Sequence, residues 1–285
     1  MAAPPRICVL TNVFNEAFNL PIWERHYARQ LPGATRLVLD DGSTDGSIAA
    51  LRPDTSVLRL PRSRFDDWKR ANFVADMTQA LLRNFDAVIC TDADELLLAD
   101  PRRHASLAEF LAEDRRDAVT ALGLNLVQKL GAEDPFDATQ PILRQRRHVQ
   151  FVSPMCKTLV TRRPIRWTGG FHGSTAAPDF GGLYLLHLRW IDLGECLQRL
   201  RTTRAVEWLD PNARSHHKAD YAQFLKNYLE FDRWPVEAGA DFAFEGEVAA
   251  MRQRGWIEQG MHRLPQDVRP QVLLTLPDWF APDLI

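Results

Sequence analysis

The chain has 285 residues, 45% hydrophobic and 25% charged, and its 35 Lys plus Arg against 37 Asp plus Glu leave a formal net charge of -2. That balance excludes an intrinsically disordered chain, and it provides no global field that would make nucleic acid or an anionic membrane the main partner. The length suits one large domain, or one domain with an appended helical region.

Residues 1–10 run into a strand-like segment too short and too Pro-punctuated for a signal peptide. No later segment approaches the roughly 18 apolar residues of a membrane span. A cytoplasmic protein is therefore expected, with peripheral contact at a membrane surface left open. Cys8, Cys90, Cys156 and Cys196 are widely spaced, without the paired C-x-x-C of a zinc site. They are expected as free thiols packed like small hydrophobes.

In chain order, residues 6–13 read as a buried strand, with Asn15 and Glu16 just beyond it. An amphipathic helix follows over 17–30, with Leu20, Trp23, Tyr27 and Leu31 at three- and four-residue steps. Leu31-Pro-Gly33 stops it, and a second strand over 35–39 ends in Asp40-Asp-Gly-Ser-Thr-Asp-Gly46. A short helix over 47–51, a short strand over 56–60, a charged connection over 62–70 and a helix over 71–83 come next. The strand 87–91 then runs into Thr91-Asp-Ala-Asp-Glu95. Farther on, the pattern predicts a helix over 107–113, strands over 118–126, 158–161 and 183–188, and a Gly/Asp/Pro loop over 129–139. The glycine-rich loop Arg166-Trp-Thr-Gly-Gly-Phe-His-Gly-Ser174 precedes the last of these strands. Helices are expected near 193–207, 217–231 and 245–256.

The expected fold class is α/β: a Rossmann-like, mostly parallel central sheet flanked by helices, with a helical C-terminal region. A catalytic domain over 1–190 and a helical extension over 191–285 packed on it describe the organisation. Right-handed crossovers put the strand ends on one edge, where open α/β sheets bind ligands. Asp92, Asp94 and Glu95 are the chemically informative residues there. Like charges so close repel, and burying an unpaired carboxylate is costly, so a cation or strong donors are expected beside them.

Taken together, Asn15-Glu16 after the first strand, the Asp-Gly-Ser loop after the second and Thr91-Asp-Ala-Asp-Glu95 after the fourth resemble the family-2-like nucleotide-sugar glycosyltransferases of the GT-A fold. The closest resemblance is to a subgroup with a D-x-D-E motif followed by a Lys and two His residues. It covers roughly residues 7–190, and three motifs at successive strand ends are more specific than any one alone. The resemblance implies a metal-dependent enzyme moving a sugar from a nucleotide-sugar donor, UDP-linked by first expectation, to a glycan or polysaccharide-precursor acceptor. It assigns Asn15, Glu16, Asp41 and Asp92 to the nucleotide and Lys157 to phosphate; Arg70, just before the helix over 71–83, is read as a solvated surface charge or a second phosphate contact. Asp92 and Asp94, completed by His172 or His187, would hold Mn²⁺ or Mg²⁺.

The general base is the weak point of this reading. Trp167-Thr-Gly-Gly170 is followed by Phe171-His172, where many relatives carry a Glu-Asp pair. Asp179 is nominated, beside Glu95, Asp137 and His172, and an inverting or retaining outcome is left open. Two rival readings stand: a non-catalytic glycan- or nucleotide-binding protein on the same fold, and a sugar-phosphate nucleotidyltransferase. The latter needs a Gly-rich signature after the first strand that Thr11-Asn-Val-Phe-Asn-Glu16 lacks. His216-His217-Lys218, Arg144-Gln-Arg-Arg147 and Arg162-Arg163 are expected as solvated surface charges.

Overall fold

The computed structural model describes residues 4–62, 64–207, 209 and 220–285. The His216-His217-Lys218 expectation lies outside the described residues.

The chain forms the expected α/β architecture, a central sheet flanked by helices. In order, the first part comprises β1 (Ile7–Val13), α1 (Asn19–Gln30), β2 (Thr35–Asp40), β3 (Thr55–Arg59), α2 (Asp67–Leu81), β4 (Ala87–Cys90) and β5 (Glu95–Ala99). Then come α3 (Leu107–Glu113), β6 (Ala118–Val127), α4 (Ile142–Gln145), β7 (His148–Phe151), β8 (Thr158–Thr161), β9 (Gly173–Ser174), β10 (Phe180–Trp190) and α5 (Leu193–Ala205). Strands β3, β2, β1 and β4 are parallel neighbours, so Asn15-Glu16, Asp41 and Asp92 leave the same sheet edge. β8 then pairs antiparallel to β4 and β6, while β10 lies parallel to β6 and antiparallel to β5.

The C-terminal part carries helices Tyr221–Arg233 and Glu245–Arg254. It also returns strands to the sheet: Leu273–Thr275 pairs antiparallel to β7, and Val236–Glu237 pairs with that strand. A small second sheet joins Trp256–Glu258, Met261–Arg263 and β9.

Local chemistry explains most boundaries. α2 begins at Asp67, four residues before its predicted start, because the Asp66 side chain caps it by accepting from Lys69 N. α5 is capped in the same way by Asp192 through Glu195 N. The predicted helix over 47–51 is only a turn, tied by Ala49 N and Ala50 N to Gly46 O. Gly123, in the middle of β6, has no room for a side chain: a Cβ there would sit 2.3 Å from the Met155 carbonyl carbon.

Of the arginines expected at the surface, Arg146 is buried and Arg147 and Arg162 are partly so. Arg146, 1% exposed, donates to the carbonyls of Ile191, Gln145 and Asp134 at 2.6, 2.9 and 2.8 Å. Arg147 serves Phe280 O, Leu276 O and Pro277 O, and Arg162 serves Arg116 O, Leu111 O and Asp114 O. Each fills a place where irregular chain turns its carbonyls inward and needs a donor. The four cysteines are free and buried, as expected.

α1 grips the turn that follows β4. Trp23 Nε1 donates to Thr91 Oγ1 at 2.9 Å, and Tyr27 Oη donates to Glu95 O while accepting from Leu97 N. His26 Nε2 lies 2.8 Å from Leu97 O. Burial pushes the His26 imidazole down to about 4. Its folded value therefore lies below the unfolded value of about 6.5, so the stability it contributes is complete above that value and is lost as pH falls. Between pH 7 and pH 5 the wild type is expected to lose about 2 kcal/mol more than a His26→Gln variant, read from urea midpoints at each pH.

Candidate functional site

The acidic turn between β4 and β5 is compact. Glu95 N bonds Asp92 O, and the Glu95 carboxylate reaches back to accept from Asp92 N at 3.1 Å. Asp94 and Glu95 are buried, and Asp92 is partly so. The cation demanded by such a cluster is supplied from four other elements.

Arg70, in the first turn of α2, pairs with Asp92 at 2.9 Å and with Asp67 at 3.0 Å, its guanidinium 4.8 Å from the centre of the Phe171 ring. Lys157, 3% exposed, lies between Glu95 at 2.5 Å and Asp92 at 3.5 Å. Arg199, from the middle of α5, pairs with Asp94 at 2.6 Å and Glu16 at 3.0 Å. His187, on β10 directly opposite Glu95, places Nε2 3.1 Å from Asp94 Oδ2 and Nδ1 2.8 Å from Asn125 Oδ1.

These pairings set the protonation states. Burial alone would raise the Asp94 carboxyl, yet Arg199 and His187 hold it well below the usual carboxylate range. Asp92 is likewise lowered against its burial by Arg70 and Lys157. Glu95 and Glu16 end up raised, because burial outweighs Lys157 for the first and Arg199 for the second. Lys157 and Arg199 stay charged: desolvation opposes this, but the carboxylates around each override it.

His172 ends the Gly169–Phe171 turn, where Gly170 and Phe171 both have positive φ. A side chain at Gly170 would strike the imidazole, its Cβ 2.7 Å from Nε2. The ring's Nδ1 lies 2.7 Å from Pro154 O, to which it can only donate. Burial and Lys157 push the imidazole down to about 3, so it is neutral with an unprotonated Nε2. Neither this nitrogen nor Asp94 Oδ1 has a protein partner among the described residues. A hard carboxylate oxygen and a neutral imidazole with its second nitrogen anchored on a carbonyl suit a divalent cation. Among the described residues, no three carboxylate, imidazole or thiolate donors converge on one point.

The nucleotide-side expectations meet at the neighbouring strand ends. Asn15, with φ of 54°, donates its backbone N–H to Ser43 Oγ and accepts from Thr44 N through Oδ1, which joins the two loops. Asp41 pairs with Arg62, whose guanidinium stacks 3.7 Å from the centre of the Phe14 ring. Beside them opens a cleft of about 650 Å³, lined by Phe14, Asn15 and Arg62 on one wall and by Gln198, Arg201 and Thr202 of α5 on the other.

Asp179 does not join this site. It precedes the first residue of β10, eight positions before His187. There it is half exposed and paired with Arg116 at 3.1 Å. The full length of β10 separates the two ends, and the pattern over 183–188 had shortened that strand. Asp137 is spent on its own loop, accepting from Thr139.

Sequence reasoning missed Arg199. Its signal was present: Arg199 stands beside Leu200 and three positions after Cys196, the two buried residues of α5, and a cation on the inward face of a helix asks for a buried anion.

No protein-family model matches the chain, and no curated protein matches it. Among solved structures it is similar to a mannosyltransferase of Pyrobaculum calidifontis in complex with GDP-Man and Mn²⁺, at 22% identity and a TM-score of 0.29 over 45% of this chain and 36% of that one. It is also similar to residues 1–349 of S. aureus TarS in complex with UDP, at 14% identity and a TM-score of 0.32 over 55% of this chain and 46% of that one. The chain thus spans less than half the length of either protein.

Proposed function

We propose that the chain is a glycosyltransferase that takes a nucleotide-sugar donor, UDP-linked by first choice, and delivers the sugar to a hydroxyl of a glycan or polysaccharide precursor. One observation carries this reading. A cleft of nucleotide size opens between the segments that follow β1 and β3 and α5, and the same helix reaches the carboxylates after β4 through Arg199.

In this reading Asn15 and Asp41 hold the base and ribose, where a carboxylate accepts from N–H or O–H groups and the Asn15–Thr44 bond keeps the two loops in register. Glu16 positions Arg199. Asp94 and His172 are the residues that would hold a divalent cation, Mn²⁺ or Mg²⁺, with Asp92 and His187 beside them. Its chemistry is the stabilisation of negative charge on the departing nucleoside diphosphate. Arg70 and Lys157 act on Asp92 and Glu95, keeping the turn's carboxylates fixed and the local field from becoming strongly negative.

The test is a thermal-shift and turnover panel of UDP-, GDP- and TDP-sugars with Mn²⁺. The wild type is expected to melt higher with one donor and to hydrolyse or transfer its sugar. Asp94→Ala is expected to lose at least about a hundredfold in kcat while staying folded. Tight donor binding without turnover favours the binding-protein alternative, and absence of any shift with all donors rejects nucleotide-sugar use altogether.

A further inference from the structure

Sugar transfer to a hydroxyl needs a base for the hydroxyl proton, and most carboxylates of this site have no oxygen left for that task. Asp92 pairs with Arg70 through Oδ1 and with Lys157 through Oδ2. Glu95 accepts from Lys157 through Oε1 and from Asp92 N through Oε2. Glu16 pairs with Arg199 through Oε1 and accepts from the Asn19 amide through Oε2. Asp94 keeps only Oδ1, the oxygen that suits a divalent cation.

Asp67 differs from all of these. It is the first residue of α2, and Arg70 holds it through one oxygen: Nε lies 3.1 Å and Nη2 3.0 Å from the same Oδ1. Oδ2 accepts from no described residue, yet it is not sealed away from solvent. Its place is set from three sides. Arg70 Nη1 donates to Asp92 Oδ1 at 2.9 Å, so a single guanidinium spans Asp67 and the acidic turn. Oδ2 lies 3.0 Å from the point a Gly169 Cβ would occupy, at the start of the turn that leads into His172, and the missing side chain gives the oxygen its opening. Arg62 and Arg64, both on the cleft wall, stand on the connection that runs into α2. Asp67 therefore joins the cleft wall, the acidic turn and the His172 turn.

We propose that Asp67 is the catalytic base of an inverting transfer. The inference rests on the glycosyltransferase reading and names the residue that acts on the acceptor within it. In the step, Asp67 Oδ2 takes the proton of the acceptor hydroxyl, and an electron pair of the hydroxyl oxygen forms the new bond to the anomeric carbon. The bond from that carbon to the diphosphate oxygen breaks, and its pair leaves on the nucleoside diphosphate. Arg70, fixed on Oδ1 and on Asp92, keeps the carboxylate from turning away as Oδ2 acts.

Hydrolysis of UDP-, GDP- and TDP-sugars with Mn²⁺, water serving as the acceptor, tests this in the full chain. Asp67→Asn keeps the size of the side chain and an oxygen for Arg70. It is expected to melt close to the wild type, to bind the nucleoside diphosphate of the accepted donor with unchanged affinity by calorimetry, and to lose at least about a hundredfold in kcat. Sodium azide, a nucleophile with no proton to give up, is expected to restore donor consumption by at least about tenfold and to yield a glycosyl azide of inverted configuration. Asp67→Ser, which is smaller, is expected to show the same loss and the same rescue. A carboxylate that only anchors Arg70 would give no rescue. Wild-type turnover with an undiminished kcat in Asp67→Asn, a loss that azide does not restore, or a glycosyl azide of retained configuration overturns the proposal and leaves the enzyme reading intact. No turnover of any donor by the wild type removes that reading and the proposal with it.

Discussion

Replacing Lys157 with methionine is expected to destabilise the protein by about 3–5 kcal/mol, because it takes from the buried Glu95 carboxylate the one cation paired with it among the described residues. Asp92 keeps Arg70 and loses less. Burial already holds the Glu95 carboxyl above its ordinary value, and the loss of Lys157 will raise it further. A carboxyl whose folded value is raised loses stability as pH climbs from its unfolded value through the folded one. The Lys157→Met deficit should therefore be larger at pH 8 than at pH 5. Adding Glu95→Gln should restore about 1–3 kcal/mol, a coupling that a double-mutant cycle on guanidinium midpoints will measure. If the two single deficits simply add, the two residues do not depend on each other in the way the geometry requires.

Arg146→Met is the second large expectation. The guanidinium closes three carbonyls at the junction of β7, the 129–139 loop and the approach to α5, with Glu133 at 3.7 Å and Asp192 at 3.8 Å completing its charge balance. Asp192 also caps α5 and accepts from Phe136 N. Removing the arginine takes a donor from three carbonyls and a cation from two carboxylates, and a loss of about 3–5 kcal/mol follows. Because α5 hangs from this junction, hydrogen exchange in α5 should quicken well before exchange in β1 and β4. Uniform acceleration across the sheet would argue against that division of stability.

Much of the parallel half was legible in the sequence. β1, β2 and β4 are apolar runs ending in polar clusters, and the helices between them show clear periodicity or caps, so their order and shared edge followed from elementary rules. β5 was not separable from β4: only four residues part them, and Leu96, Leu97 and Leu98 are all buried, so there is no alternation to read. The later strands β7 and Leu273–Thr275 are short and find each other across more than 100 residues, beyond any local signal.

The acids of the candidate site were readable because they crowd one turn. Their pairings were not, since Arg199 lies 105 positions from Asp94, and Lys157, expected on phosphate, lies 62 from Glu95. An isolated Arg or Lys in a sequence reads as solvated, and only the fold shows which of them is enclosed. Asp179, nominated as the base, lies just before β10 and is paired with Arg116, a partner that its sequence position did not reveal.

The four enclosed thiols give the molecule an internal clock. Cys8 and Cys90 lie on β1 and β4, Cys156 lies beside Gly123 of β6, and Cys196 lies on α5. Burial pushes all four upward, Cys8, Cys156 and Cys196 to about 12, so while covered they stay protonated and inert to alkylation. Each becomes reactive only when its own neighbourhood opens. The order in which a thiol reagent marks them is then a record of which part of the chain lets go first. Because α5 depends on the Arg146 junction at its start and on the Arg199 ion pairs along its length, Cys196 should be the first to be marked.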